Sequence, residues 1–253
     1  MRRLAYCIIA PLVLAGCGES PTTGPAFTRK GAVAPIGAGQ SPIDIRADDA
    51  TSVSRQEVSA LKFRYDRRAD LVVVNTGSPD EFATVRADVA PGDAELRTGD
   101  RVFHLLQFHW HTPAEHEIEG ERGPLEMHLV HRAADGGLMV VGVLVREGAA
   151  HAELARIFDD LPEPPGAQEE IERFNLARLL PHDRESFRYH GSLTTPPFTE
   201  GVSWVVLAQP IEMSAAQIEA FRELFEEGNS REVQPLNGRT IISDAELAAL
   251  ASE

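Results

Sequence analysis

From residue 61 onward, apolar and polar positions alternate in short runs more often than they recur at helical spacing. Leu61-Lys62-Phe63-Arg64-Tyr65 alternates strictly, the period-two signature of a strand with one buried face. Segments 71–74, 82–89, 103–111, 125–132, 138–146 and 203–207 are short apolar-rich runs and predict further strands. Asn75-Thr76-Gly77 punctuates the first of these runs as a turn. Asp135-Gly136-Gly137 joins two others as a hairpin turn, where glycine supplies positive φ. Helical patterns are few and predict helices over 149–161, 168–179 and 214–227. The last opens on Ser214 with Gln217 three residues on, the spacing of a capping box. No internal repeat and no nucleotide-binding glycine motif interrupts this order. A chain of 253 residues is compatible with one domain, because β-rich domains run to such lengths. The pattern alone predicts a mixed, β-rich domain.

The beginning of the chain reads differently. Met1-Arg2-Arg3 is a charged start, and 4–14 is an apolar run too short to span a bilayer. It ends in Leu14-Ala15-Gly16-Cys17, which resembles a bacterial lipobox. The expected organisation is a lipoprotein signal peptide over 1–16, lipidation at Cys17, a Gly/Pro/Ser-rich flexible tether over 17–38, and the domain over 39–253. Acyl chains on Cys17 would be the sole attachment to a membrane. The domain would face the periplasm or the exterior, with the outer membrane favoured in a Gram-negative host. Cys7 and Cys17 are the only cysteines, so the mature domain is expected to hold no intramolecular disulfide.

Charge narrows the partners. With 39 acidic against 24 basic residues, the formal net charge is −15. Such a chain has no electrostatic attraction to nucleic acid or to anionic lipid headgroups.

Candidate chemistry concentrates in Gln107-Phe108-His109-Trp110-His111 and Glu126-Met127-His128. In a strand, residues i and i+2 share a face, so His109 and His111 project side by side. A neighbouring strand carrying His128 brings a third imidazole to the same point. Three neutral imidazoles with a fourth position open are the ligand set of a catalytic zinc, whereas structural zinc sites are closed and favour cysteine. Gln107 shares the face of His109 and His111, and Glu126 that of His128. Ligand histidines usually donate their other ring N–H to such oxygens, which fixes tautomer and orientation.

The stretch 103–145 resembles the α-class carbonic anhydrases, particularly the bacterial ones. So do Gln40-Ser41-Pro42-Ile43-Asp44-Ile45, the run from Tyr189 through Leu193-Thr194-Thr195-Pro196-Pro197 to Trp204, and the run from Asn229 to Arg239. These four blocks occur in family order over about 40–242. The resemblance implies a large, mostly antiparallel, twisted central sheet with peripheral helices and a zinc cleft. It implies reversible hydration of carbon dioxide to bicarbonate and a proton, by attack of a zinc-bound hydroxide. His109, His111 and His128 fall at the ligand positions. Thr194 and Glu115 fall at those of the relay that orients the hydroxide, with Thr194 and Thr195 beside the substrate. Val130, Val140, Leu193, Val202 and Trp204 match the apolar wall for carbon dioxide. His116 and His131 match structural positions, while His104, His151 and His182 read as surface residues.

Two departures from the family pattern stand out. Many bacterial relatives carry a cysteine after Thr-Thr-Pro-Pro, where this chain has Phe198. Fast relatives place a proton-carrying histidine after the Asn-x-Gly turn, where this chain has Ser78, which does not titrate near neutral pH. Two other functions compete. A zinc protease is disfavoured because H-E-x-x-H is absent, and His111-Thr112-Pro113-Ala114-Glu115-His116 is one residue too long for H-x-x-E-H. A binding module on the same fold would be expected to have lost a zinc histidine or the relay, and this chain keeps both. The sequence leaves oligomeric state open.

Overall fold

The computed structural model describes residues 37–54, 57–77 and 82–245. The signal segment, Cys17, most of the tether and Ser78 lie outside them. The described chain forms β1 (Asp44–Ile45), β2 (Ala50–Ser52), β3 (Lys62–Tyr65), β4 (Ala69–Asn75), β5 (Val85–Val89), β6 (Ala94–Thr98) and β7 (Arg101–His111). Then come β8 (Glu117–Ile118), β9 (Leu125–Ala133), β10 (Leu138–Glu147), α1 (Ala155–Phe158), β11 (Gln168–Phe174), β12 (Ser186–Ser192), β13 (Glu200–Met213), α2 (Ala215–Leu224) and β14 (Ile241–Ser243).

Twelve strands make one sheet in the order β11-β4-β5-β7-β9-β10-β13-β12-β14-β2, with β6 beside β7 and β3 beyond β6. Only β10–β13 and β14–β2 run parallel within it. The large, mostly antiparallel sheet with few peripheral helices is therefore present as expected.

Period-two alternation in the central strands divides the apolar side chains between two faces. Phe108, Trp110, Met127, Leu129, Val141, Val143, Val205 and Leu207 point to the larger core. Val140, Val202, Trp204 and Val206 point the other way, packing with Ile43, Ile45, Phe187 and Tyr189. The candidate histidines share the parity of this second set, so the site stands on the face of the smaller cluster.

The helical expectations fare unevenly. The capping box at Ser214 is present, with Gln217 N–H donating to Ser214 Oγ and Ser214 N–H to Gln217 Oε1. Such caps contribute about 1 kcal/mol. The helix expected over 149–161 shrinks to the single turn of α1. The helix expected over 168–179 is wrong: 168–174 is β11, followed by a 3-10 turn at Leu176–Leu179. Gln168-Glu169-Glu170-Ile171-Glu172 has good helix formers, but β4 offers an unpaired strand edge, and pairing with it outweighs local preference. The exposed glutamates then leave a charged outer edge that resists further strand addition. Short strands β1, β2, β6, β8, β12 and β14 were not expected from the pattern.

His104 and His182 are exposed, as anticipated. His151 is only partly at the surface. It is half-buried, its Nδ1 accepts from Leu154 N–H, and its Nε2 lies 3.1 Å from the Arg178 carbonyl. His131 is a core residue 2.6 Å from the Tyr65 hydroxyl, and burial brings its pKa down to about 4.

Candidate metal centre

β7 and β9 are antiparallel neighbours, and their register sets His109 directly opposite His128 and His111 opposite Glu126. The three imidazole centroids lie 5.0 Å (His109–His111), 5.4 Å (His109–His128) and 4.7 Å (His111–His128) apart. One ring nitrogen from each falls within 4.8 Å of the others. His111 and His128 are buried, and His109 is half-buried on the open side.

A different oxygen holds each ring. His109 Nδ1 lies 2.8 Å from Gln107 Oε1. His111 Nδ1 lies 2.9 Å from the Asn229 carbonyl. His128 Nε2 lies 3.0 Å from Glu126 Oε1. An oxygen acceptor demands a proton on the nitrogen facing it, so the other nitrogen of each neutral ring carries a lone pair. His111 Nε2 is buried with no hydrogen-bond partner. An orphaned acceptor of this kind costs free energy unless something binds it. Burial favours the neutral rings: the His109 pKa is driven well below its usual value, and those of His111 and His128 are also lowered. Three convergent neutral imidazole nitrogens with no cysteine fit zinc and fit no hard, oxygen-loving cation.

Glu126 anchors more than His128. Its Oε2 accepts from the Glu115 and His116 main-chain N–H groups at 2.9 and 2.8 Å. Its Oε1 also lies 2.8 Å from His116 Nδ1. Burial alone would raise its pKa, but interaction with His116 and His128 holds it well below the usual carboxylate range. Gly142 in β10 makes room, since a Cβ there would stand 2.7 Å from Glu126 Oε1. His116 continues the network, with Nε2 lying 2.7 Å from the Tyr189 hydroxyl, itself 2.8 Å from Ser41 Oγ. His116 is thus committed to the protein, in the structural position expected.

Glu115 and Thr194 are both buried. Glu115 Oε1 accepts from Arg231 N–H at 2.8 Å. Its carboxylate lies 3.5 Å from His111 Nδ1 and 3.8 Å from His128 Nδ1. Burial lifts its pKa to about 7 against the lowering influence of His128, Arg231 N–H and, more weakly, Thr194. Glu115 Oε2 has no hydrogen-bond partner of its own. Thr195 follows, half-buried.

The apolar residues named from sequence come together. Val130 faces Val140 across β9–β10, and Val140 faces Trp204 across β10–β13. Val202 joins them, with Leu193 packed alongside. The Trp204 ring stands edge-on to His128, with centroids 4.9 Å apart. An apolar wall therefore adjoins the three imidazoles.

Sequence reasoning missed Asn229. It is buried and fully engaged: Oδ1 accepts from Thr112 N–H, Nδ2 donates to the Ala83 and Trp110 carbonyls, and its own carbonyl faces His111. A buried asparagine fixed on all sides positions its main chain as firmly as a side chain.

Comparison with known proteins gives one answer. The family model for eukaryotic-type carbonic anhydrase matches residues 28–245. A carbonic anhydrase of Nostoc sp. is 39% identical over 213 residues, covering 83% of this chain and 78% of that protein. One from Pectobacterium carotovorum is 38% identical over 207 residues, covering 81% and 80%. The solved alpha-carbonic anhydrase of Thermovibrio ammonificans, in complex with the inhibitor sulfanilamide, superposes with a TM-score of 0.75 at 37% identity, covering 82% of this chain and 88% of that one.

Proposed function

The chain belongs to the eukaryotic-type, alpha-class carbonic anhydrase family and is a carbonate dehydratase, and from that premise we propose that His109, His111 and His128 hold a zinc ion while Thr194 and Glu115 orient the nucleophile. The observations that carry this reading are the three separate oxygens, Gln107 Oε1, Asn229 O and Glu126 Oε1, each engaging one nitrogen of a ring and leaving the other free, and the convergence of one nitrogen from each ring to within 4.8 Å of the others. Zinc held by the three histidines would supply the Lewis acidity that makes hydroxide available near neutral pH, the behaviour established for carbonic anhydrases as a class.

The protein's own groups supply the rest. Ionised Glu115 accepts the Thr194 hydroxyl proton, so Thr194 Oγ1 presents only lone pairs to the nucleophile. The nucleophile's O–H then points at Thr194, and its lone pair is left for the carbon of the substrate. Val130, Val140, Leu193, Val202 and Trp204 form the surface against which small, apolar carbon dioxide rests, and Thr195 contacts the bicarbonate product. The proton must leave the cleft without the usual histidine, since Ser78 takes its place. Turnover is therefore expected to rise with the concentration of an imidazole-type buffer and then to level off. Stopped-flow hydration across a buffer series tests this; fast turnover independent of buffer would refute it.

Among the described residues no helix is long and apolar enough to cross a membrane. The proposed attachment is lipidation of Cys17, with the domain facing the periplasm or exterior. Mass spectrometry of the membrane-extracted protein is expected to find an acylated N-terminal Cys17, and an unmodified Cys17 would end that proposal.

A further inference from the structure

Arg231 joins three parts of the site that are remote in sequence. Its main-chain N–H donates to Glu115 Oε1. Its guanidinium donates to Gln40 Oε1 at 2.9 Å and to the Ser41 carbonyl at 2.7 Å. The same guanidinium lies over the Phe198 ring, with Cζ 3.8 Å from the centroid. Gln40 completes the circuit, because its Nε2 donates to the Phe198 carbonyl at 3.3 Å and to Glu200 Oε1 at 3.0 Å.

Phe198 stands at a demanding place. It has φ of +58°, the left-handed region that a bulky side chain occupies only when its surroundings hold it there. It closes the loop carrying Thr194 and Thr195, with Phe198 N–H donating to the Thr195 carbonyl and Leu193 N–H to the Thr199 carbonyl, both at 2.9 Å. Phe82 packs edge-on against its other side, with centroids 5.6 Å apart. The loop has its own internal hydrogen bonds, and the Arg231 guanidinium packs on it from outside, from a segment remote in sequence. A planar, delocalised cation can stack and donate at once, which an ammonium cannot reproduce.

We propose that Arg231 is a positioning residue: clamped by Gln40 and Phe198, it fixes Glu115 from one side and the 193–199 loop from the other, so that carboxylate and Thr194 hydroxyl stay in register. This rests on the proposed role of that pair in orienting the nucleophile. Among the described residues the hydrogen bonds and ring contact of the Arg231 side chain go to Gln40, Ser41 and Phe198 and not to the ligand histidines or their oxygen partners, so zinc content is expected to be unaffected by its loss.

The test uses the zinc-loaded full-length protein. Arg231→Ala is expected to lower kcat/KM about tenfold, a loss of the size that small misplacement of a reacting group produces. In a Glu115→Gln background the same change should have little further effect, because the residue acts through the register of the Glu115–Thr194 pair, which that background has already lost. Phe198→Leu should lose activity in the same way and Phe198→Tyr, which keeps the stacked ring, should retain it. Amide exchange in the 193–199 loop of the zinc-free protein should accelerate in Arg231→Ala and Phe198→Leu. Should Arg231→Ala fail to fold, the Phe198 pair carries the decision. Unchanged exchange and unchanged kcat/KM in an active protein would overturn the clamp alone, as would equal losses in both Glu115 backgrounds. An inactive zinc-loaded wild type would overturn the functional reading and the clamp with it.

Discussion

His128→Ala is expected to lose zinc and to reduce carbon dioxide hydration to background. Its Nδ1 is the ring nitrogen left free, because Nε2 is committed to Glu126. No neighbouring histidine can replace it, for His116 uses both nitrogens within the protein. Two histidines cannot satisfy a tetrahedral zinc that also needs an open position. The fold should survive, because Glu126 keeps three of its donors, the Glu115 and His116 main-chain N–H groups and His116 Nδ1. A buried carboxylate left with those partners is not stranded. Gln107→Ala makes a graded companion. It frees the His109 ring without removing a ligand, and the expected loss is about 10- to 100-fold in metal affinity. Metal analysis, circular dichroism and stopped-flow hydration on the same preparations decide the matter. Full zinc occupancy and full activity in His128→Ala would show that the metal sits elsewhere.

This centre was legible in the sequence to the extent that it is written in strand parity. Gln107, His109 and His111 occupy alternate positions of one strand, and Glu126 and His128 alternate positions of the next, so one assumption about secondary structure places all five. Antiparallel pairing of β7 with β9 then does the rest. The support for His111 was not legible, because it is a main-chain carbonyl. Every residue has one, and nothing in the residue type marks Asn229 as the one that folds back 118 positions to meet the ring. Glu115 and Thr194 lie between these cases. A glutamate in a loop and a threonine before two prolines carry no signal of their own, and only the resemblance of the surrounding blocks singled them out. The clamp around Arg231 was hidden for the same reason as Asn229: it depends on where three separate loops converge. β11 shows the opposite failure. Its glutamates speak locally for helix, and the free edge of β4 outweighs them.

Glu115→Gln separates orientation from metal binding. The substitution keeps shape and volume and removes the charge. Its amide oxygen can still accept from Arg231 N–H, the contact Glu115 Oε1 makes at 2.8 Å. The new NH₂ must then occupy the place of Oε2, on the side of Thr194. A donor there claims a lone pair of Thr194 Oγ1 and leaves the threonine proton free to point at the nucleophile. That is the reverse of the proposed polarity, and the nucleophile's lone pair would be turned toward Thr194 instead of toward the substrate carbon. Misorientation of a reacting group costs about 100-fold. kcat/KM should fall by that order while zinc content stays at the wild-type level. Thr194→Ala should cost a similar factor by removing the acceptor outright. Because the two residues act as a unit, the double variant should be little worse than either single one. The charge also carries a stability consequence. Burial raises the Glu115 pKa to about 7 in the metal-free site, so near neutral pH its protonated and ionised forms are both populated there. A raised carboxyl pKa means the folded metal-free protein holds a proton that the unfolded chain has released, so this group weakens stability as pH rises from the ordinary carboxylate range to about 7. Glu115→Gln, which cannot ionise, should remove that slope from the pH dependence of unfolding in the zinc-free protein. Loss of zinc in Glu115→Gln would assign the residue to building the metal centre, and strictly multiplicative losses in the double variant would show that the two residues do not act as a unit.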